Sequence, residues 1–321
     1  MNGIARRACV EGWMSFAGAP TAEIELSIEL FPPKTAAQAE TLRLEAARLA
    51  ALEPDLISVT CGAGGEGGRG TELLVHELRQ RHRCKVVPHM TCVGSSRAEV
   101  DAQAQRYWDA GIRAVVALRG DLPGMIGPYV PRPDGYAYAS DLVAGLRRIG
   151  DFEIAVGGYP ETHPAAPSAA FDLDNLARKV DAGASRIITQ YCFDTDTLLR
   201  FRDRVVSRGI QAELVPGIMP VHNFAQIKRF SGMCGASVPA WLEALFHGIE
   251  DQPALRDMVA VGVAAEQCRR LIAEGLTHLH IYALNRSTLT TALCLLLGRG
   301  IEVAPPTAPP TSAAGLAVAA A

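Results

Sequence analysis

The sequence has few of the features that assign a chain to a binding class at once. In 321 residues the formal net charge is −3 and no run of lysine or arginine occurs, which argues against a nucleic-acid or anionic-membrane partner. No apolar run approaches the length of a bilayer span, and residues 1–20 lack the continuous apolar core of a signal peptide. We therefore expect a cytoplasmic protein without a membrane or nucleic-acid partner.

Paired cysteine spacing is also missing. The eight cysteines form no CxxC motif, so neither a zinc site nor a disulfide framework is indicated. Most are expected to be buried as small apolar side chains. Cys61, Cys92 and Cys192 follow predicted strands and could line a pocket, although a redox role is the less favoured interpretation. Apart from His278 and His280, no two histidines combine metal-ligand spacing with a carboxylate, and we predict no metal site.

What the sequence does have is a series of short apolar runs separated by helix-like segments. The runs are rich in Val, Ile and Leu, as in parallel strands buried on both faces, and 49% of the chain is hydrophobic. Between the runs, apolar residues at three- and four-residue spacing predict helices. The strands are predicted at residues 22–30, 56–60, 85–90, 114–118, 153–160, 186–190, 212–220 and 277–284.

This alternation predicts an α/β fold, a single-domain (β/α)8 TIM barrel over residues 21–302 with extra helices before strand eight. A doubly wound open sheet is the structural alternative, but unbroken repetition of one pattern favours closure. Residues 1–20 are expected to form a loose arm, unless the chain starts at Met14, and the Pro/Ala-rich residues 303–321 a disordered tail. The helices are predicted at residues 35–52, 71–81, 97–110, 140–148, 172–182, 194–208, 223–230, 238–247, 253–273 and 287–297.

Residues able to do chemistry follow nearly every predicted strand. The carboxyl ends of parallel barrel strands meet at one rim, so these side chains, although scattered in sequence, are expected to share one site. They are Glu29, Thr60, His89, Asp121, His163, Gln190 and Arg286.

The glycine-rich segment from Gly62 to Gly67 spells GxGxxG after a strand, which is the order of a dinucleotide-binding turn. The predicted helix begins only after Gly70, and the next strand ends in His89-Met90 where an acidic residue for a ribose would be needed. We therefore favour a flexible flap at the barrel mouth over a Rossmann turn.

The first strand alternates polar and apolar residues. Glu25, Ser27 and Glu29 are expected to face the barrel interior, with the aliphatic residues between them facing outward. For Glu25 a buried ion pair with a neighbouring lysine or arginine is the favoured role. For Glu29, held before Pro32-Pro33, catalysis is favoured. Asp121 fits a turn cap and a functional carboxylate equally well.

Ordered motifs over residues 24–298 together resemble the bacterial methylenetetrahydrofolate reductase family. The resemblance implies a flavin-containing barrel that passes a hydride from NADH or NADPH through FAD to 5,10-methylenetetrahydrofolate, giving 5-methyltetrahydrofolate for methionine synthesis. It also implies a homo-oligomer and no C-terminal regulatory domain. The motifs include Glu29-Leu-Phe-Pro-Pro-Lys-Thr35, Pro88-His-Met-Thr-Cys92, Leu118-Arg-Gly-Asp-Leu-Pro123, Tyr159-Pro-Glu-Thr-His-Pro164, Pro216-Gly-Ile-Met-Pro220 and Leu284-Asn-Arg286.

The resemblance assigns roles to individual residues. Glu29 matches the general acid, and Asp121 a carboxylate used in catalysis and in binding both flavin and folate. The other matched folate contacts are Gln190, Gln226 and Arg286, with Phe230 as a supporting aromatic, while Thr60 and Gln190 also match nicotinamide contacts. The other matched flavin contacts are Thr60, Ala63, His89, Arg119, Gly120, Ala139, Tyr159, His163, Ala166, Asp172, Asn175 and Lys179.

The expected chemistry needs a carboxylic acid, because the folate ring opens only when its departing nitrogen receives a proton. We expect burial among Ile28, Leu30 and Phe31 to keep Glu29 protonated. The sequence departs from the family at Cys61, where a tyrosine is frequent, which puts one flavin contact in doubt. Two alternatives stay open: a flavin- and folate-binding barrel reduced by an iron-sulfur partner, and a non-catalytic barrel subunit.

Overall fold

The structure is a computed structural model that describes residues 23–61, 68–121 and 129–299. Its centre is a nearly closed barrel of parallel strands with helices between them, as the sequence predicted. The strands are β1 (Glu25–Leu30), β2 (Leu56–Val59), β3 (Lys85–Thr91), β4 (Ala114–Leu118), β5 (Glu153–Gly158), β6 (Arg186–Thr189), β7 (Glu213–Val215), β8 (Gly217–Ile218) and β9 (His278–Tyr282).

The helices lie close to their predicted positions. Side chains of Thr35, Ser96, Ser168, Asp194 and Asn223 accept hydrogen bonds from the first turn of the helices that follow them. The helices are α1 (Ala36–Ala50), α2 (Arg69–Arg81), α3 (Arg97–Asp109), α4 (Ala139–Ile149), α5 (Ala169–Asp181), α6 (Thr195–Ser207), α7 (Phe224–Cys234), α8 (Ala240–Phe246), α9 (Pro253–Ala273) and α10 (Thr288–Leu296).

Predicted helix boundaries differ from the structure by up to four residues, and the largest difference is at α7, which ends at Cys234 rather than Phe230. Helix α2 starts at Arg69 rather than Thr71, because Gly68 takes a left-handed conformation (φ 75°) and turns the chain directly into the helix. Helix α5 starts at Ala169 rather than Asp172, since Ser168 and not Asp172 caps it. The glycine-rich flap, the loose arm and the disordered tail fall on residues outside the described ranges and stay predictions.

The predicted seventh strand is split at Pro216. Before the proline, β7 pairs with β6, and after it β8 pairs with β9, so the two pieces join opposite ends of the nine-stranded order β7-β6-β5-β4-β3-β2-β1-β9-β8. The count of nine rather than eight follows from this break, because proline has no N–H for the ladder. The Pro216 carbonyl still accepts a hydrogen bond from His280 N at 2.9 Å, which carries the ring across the break.

The strands separate two apolar layers. Outward-facing residues such as Leu26, Ile28 and Leu30 pack with Leu42 and Leu49 of α1 in the main core. Every second residue of a strand faces inward, and these side chains fill the barrel. This interior cluster consists of Leu56, Val87, Ala114, Val116, Ala155, Ile188 and Val215, with Leu118 against it.

None of the helices in the described ranges is long and apolar enough to cross a membrane. The cytoplasmic location stays a prediction from the sequence.

Candidate active site

A cavity of about 410 Å³ opens at the carboxyl ends of the strands. Volumes of this order suit a small-molecule or cofactor site. Seven of the residues to which the sequence assigned a catalytic or binding role line it: Glu29, Thr60, His89, Gly120, Asp121, Tyr159 and Gln190. Other lining residues are Cys61, Thr91, Gln103, Leu118, Gly157, Ile188, His280 and Tyr282.

Glu29 lies between two imidazoles. Its Oε2 atom is 3.7 Å from Nε2 of His89 and 3.7 Å from Nε2 of His280, and its side chain keeps 19% exposure toward the cavity. Within the ranges that the structure describes, no lysine or arginine pairs with this carboxylate. The Glu29 carboxyl group is therefore not committed to an ion pair with a permanent cation, and it is accessible to a molecule in the cavity.

The orientation of His280 is fixed by a contact on the side of its ring away from Glu29. It is completely buried, and its Nδ1 lies 2.8 Å from Oγ of Ser27, which is inward-facing on β1 like Glu29. The Ser27 hydroxyl also lies 3.3 Å from the Leu279 carbonyl. These contacts aim Nε2 at Glu29, and this nitrogen has no hydrogen-bond partner among the described residues.

His89 approaches Glu29 from β3. Burial lowers the pKa of His89 to about 4, although the Glu29 carboxylate acts in the opposite direction. The ring is therefore neutral at neutral pH. Its Nε2 is buried and has no partner among the described residues, so a bound molecule could supply one.

Two expectations for β1 were wrong. Ile28 and Leu30 do not surround the Glu29 carboxyl, because they face outward into the main core, and Phe31 is exposed. Glu25 does not form a buried pair with a lysine or arginine. It is exposed at the opposite end of the strand, where its Oε2 lies 3.4 Å from Nδ1 of His278.

The end of β4 carries an Arg–Asp pair. The Arg119 guanidinium lies 3.3 Å from Oδ1 of Asp121, and its carbon lies 4.8 Å from the centre of the Tyr129 ring. The Asp121 side chain is 85% exposed. A turn cap would bind the residues that follow it, and residues 122–128 lie outside the described ranges, so that role of Asp121 stays a prediction. The side chain itself lines the mouth of the cavity.

The β5 end and α5 hold a second group of predicted residues. The ring of His163 packs edge-on against Tyr159 at 4.6 Å, and its backbone N donates to Asp172 Oδ2 at 2.8 Å. Burial raises the pKa of Tyr159 to about 12 and lowers that of His163. Lys179 reaches back from α5, so that Nζ donates to the Gly157 carbonyl at 2.5 Å, and burial lowers its pKa to about 8.

The remaining predicted residues do not line the cavity. Gln226 lies in the first turn of α7, where its N is capped by Asn223, and Phe230 lies one turn later beneath the Arg229 guanidinium. Arg286 is exposed in the loop after β9. Asn175 binds Arg178, while Ala139 and Ala166 lie in the stretches around α4 and α5. Ala63 lies outside the described residues.

Sequence reasoning missed several lining residues, of which His280 and Tyr282 are the most informative. Both face inward on β9, and the Tyr282 hydroxyl donates to the Thr189 carbonyl at 2.8 Å. The alternation His278, His280, Tyr282 was the available signal, since period-two geometry places all three inside the barrel. Cys61, by contrast, was expected from the sequence to be able to line a pocket, and it does line the cavity, where its sulfur lies 3.6 Å from Oγ1 of Thr91.

At the other end of the barrel, Glu25, Glu213 and His278 bring possible metal-ligand atoms within 4.8 Å of one another. Glu213 already binds Arg186 at 2.6 Å and His278 Nδ1 at 2.8 Å, so an ion-pair network accounts for the group. The absence of a metal stays a prediction.

Comparison with known proteins places the chain in a family. The model of the methylenetetrahydrofolate reductase family matches residues 17–298. The chain belongs to this family. It is 44% identical over 281 residues to the 5,10-methylenetetrahydrofolate reductase of Pectobacterium carotovorum, which covers 88% of this chain and 92% of that protein. It is 44% identical over 276 residues to the enzyme of the same name from Escherichia coli, covering 86% and 91%.

A solved structure supports the fold. It is an uncharacterized protein from Clostridium thermocellum that binds two copies of 5-methyl-5,6,7,8-tetrahydrofolic acid. The TM-score is 0.59 at 12% identity, and the match covers 86% of this chain and 94% of that one. At this identity the likeness concerns the barrel architecture alone.

Proposed function

We propose that this protein reduces 5,10-methylenetetrahydrofolate to 5-methyltetrahydrofolate, with FAD as bound cofactor and NADH or NADPH as electron donor, and so feeds methionine synthesis. The observation that carries the proposal is the position of Glu29. It brings a carboxyl group to the cavity between two imidazoles and without a lysine or arginine partner in the described ranges. Family membership supplies the substrate class.

The residues around the cavity fit a flavin. Gly157 faces inward on β5, and a Cβ added there would meet only Leu118 at 3.4 Å and Tyr159 at 3.9 Å, which are ordinary contacts. Space above this glycine is therefore left open by the protein. Leu118 and Ile188 add apolar surface, and the unpartnered Nε2 of His89 adds a polar atom at the edge. The isoalloxazine ring of a flavin is planar with polar atoms at its margins, so it needs both kinds of contact.

Bound FAD would accept a hydride from the nicotinamide and deliver it to the folate. The task of Glu29 is to give a proton to the departing nitrogen of the folate imidazolidine ring, whose C–N bond then breaks to leave a cationic iminium. The neighbouring His280 and His89 flank the carboxyl group in the cavity wall, each with Nε2 at 3.7 Å from its Oε2 atom. Asp121, negatively charged at the mouth, would stabilise the cationic folate.

Charged residues at the margins would bind the cofactor and substrates. Arg119 and Lys179 suit the diphosphate and ribose end of FAD, since both present cationic nitrogens beside the cavity wall. Gln190, which lines the cavity, and Thr60 would contact either substrate in turn. The exposed Arg286, with Gln226 and Phe230 of α7, would hold the outer part of the folate.

The visible spectrum of the purified chain tests the proposal. We expect a flavin spectrum that bleaches on anaerobic addition of NADH and returns when methylenetetrahydrofolate is added. A flavin that NADH and NADPH both fail to reduce, but that an iron-sulfur donor reduces, would favour the alternative with a protein electron donor. A colourless protein that takes up no FAD would favour a non-catalytic subunit.

We also propose a homo-oligomer, as the family resemblance implies. Trp241 and Leu245 are one turn apart on α8 and both exposed, which agrees with an apolar contact between copies. Sedimentation velocity on the purified protein tests this, and a monomer at all concentrations would contradict it.

A further inference from the structure

The loop after β9 is tied to the end of β1 by one side chain. Asn285 Oδ1 accepts a hydrogen bond from Phe31 N at 2.9 Å, and Asn285 Nδ2 donates to Phe31 O at 2.9 Å. The amide thus binds both backbone groups of one residue, in the manner of a strand neighbour. The β1–β9 ladder ends at the pair of Glu29 and Tyr282, so this contact extends the pairing beyond the end of both strands.

The loop that presents Asn285 has an unusual backbone. Leu284 and Asn285 are consecutive left-handed residues, with φ of 51° and 56°. Asparagine tolerates this region, whereas leucine rarely adopts it, so the turn needs outside contacts to persist. The Asn285 amide supplies two of them.

A second contact holds the loop from the other side. Ser287 N donates to Glu45 Oε2 of α1 at 2.6 Å. Arg286, the proposed folate contact, therefore lies between two residues that are both anchored to the β1–α1 segment. Phe31 is in turn two residues beyond Glu29, with only Leu30 between them.

We propose that Asn285 is a positioning residue that fixes the proton donor Glu29 relative to the folate contact Arg286. The inference rests on the proposed function. It gives Asn285 no contact with the reacting atoms. Its amide joins the end of β1, the strand that carries the acid, to the loop that carries the substrate contact. Loss of the amide should therefore affect the folate step and leave flavin reduction intact.

The test uses the full-length flavoprotein and the variant Asn285→Gly, which accepts a positive φ but removes the amide. The control is Glu53→Gly, which changes a second left-handed residue (φ 50°), exposed in the loop after α1. Flavin reduction by NADH and flavin reoxidation at varied methylenetetrahydrofolate are measured separately, together with amide hydrogen exchange near Phe31.

For Asn285→Gly we expect a lower limiting reoxidation rate and a higher folate concentration for half-maximal rate, with a combined loss of about 10- to 100-fold. Exchange near Phe31 should accelerate, while flavin content and reduction by NADH stay as in the parent and in Glu53→Gly. Asn285→Asp, which keeps an acceptor for Phe31 N but sets an oxygen against its carbonyl, should show the same one-sided loss if the glycine variant does not fold.

Equal losses in both half-reactions, or unchanged reoxidation in a variant with faster exchange at Phe31, would overturn the role of Asn285 while the parent protein still reduces folate. A parent protein whose reduced flavin is not reoxidised by methylenetetrahydrofolate would overturn the proposed function, and the Asn285 inference with it.

Discussion

Glu29 and His280 face each other across the β1–β9 pair, with 3.7 Å between Oε2 and Nε2. His280 has no access to solvent, and Ser27 on the same strand as Glu29 holds its other nitrogen. An imidazole side chain can exist with or without its second proton, whereas an arginine in this place would carry a permanent charge beside the carboxyl group. An imidazole partner is therefore compatible with the proposed role of Glu29 as a proton donor.

Asp121→Asn removes the negative charge at the cavity mouth. We expect a bound flavin that is easier to reduce and a folate half-reaction slowed by roughly tenfold or more, because the charge would stabilise the cationic folate. The measurements are the flavin reduction potential and the reoxidation rate. Asp151→Asn, which breaks an exposed Arg–Asp pair at the other end of the barrel, should change neither. An unchanged potential with unchanged reoxidation in the Asp121 variant contradicts the assignment.

Lys179 predicts a pH-dependent affinity for FAD. Its pKa is lowered to about 8 by burial, so the ammonium is mostly charged at pH 7 and mostly neutral at pH 9.5. Titration of the apoprotein should show FAD binding that weakens as pH rises through this window. Lys179→Met should weaken binding by about tenfold at pH 7 and flatten the pH dependence. Lys228→Met, at an exposed ion pair on α7, should do neither. If the FAD affinity of the parent and of Lys179→Met depends on pH in the same way, Lys179 does not have this role.

Glu213 predicts a loss of stability in acid. The hydrogen bond to His278 and the charge of Arg186 lower the pKa of Glu213 to about 2. Its folded-state pKa is below the ordinary value of 4.5, so its stabilisation is present at neutral pH and is lost as pH falls from about 5 toward 2. The side chain is 39% exposed, so screening reduces the effect to about 1 kcal/mol in the free energy of unfolding.

Glu213→Gln should therefore lower the melting temperature at pH 7 and make it less sensitive to acid. Glu153→Gln, which removes the pair with Lys85 at the same end of the barrel, provides the comparison. A parent and a Glu213 variant whose melting temperatures fall in parallel between pH 6 and pH 3 would show that this network does not stabilise the fold.

The sequence predicted the barrel and much of the cavity because both follow from short-range rules. Alternation along β1 placed Glu29 inside and Leu30 outside, and the shared polarity of parallel strands brought Thr60, His89 and Gln190 to one rim. These inferences need only the local pattern and the direction of each strand.

What could not be predicted depends on register between distant strands. His278 and His280 have the same alternation, yet their different depth in the barrel pairs one with Glu213 and the other with Glu29. The contact of Asn285 with Phe31 joins residues 254 positions apart. The sequence shows that Pro216 has no backbone N–H to donate within a strand. It does not show that the segments before and after this proline pair with strands at opposite ends of the sheet order.

The most direct measurement of the central claim is rapid mixing of Glu29→Gln in two separate half-reactions. Gln keeps the size and hydrogen bonding of the side chain but has no acid proton to give, so FAD should bind and be reduced by NADH at the parent rate. Reoxidation by methylenetetrahydrofolate should fall by about 10²- to 10⁴-fold. Glu25→Gln, on the same face of β1 at its exposed end, should leave both rates unchanged. Equal losses in the two half-reactions of Glu29→Gln, or a reoxidation rate close to that of the parent, would contradict the role of Glu29 as the acid.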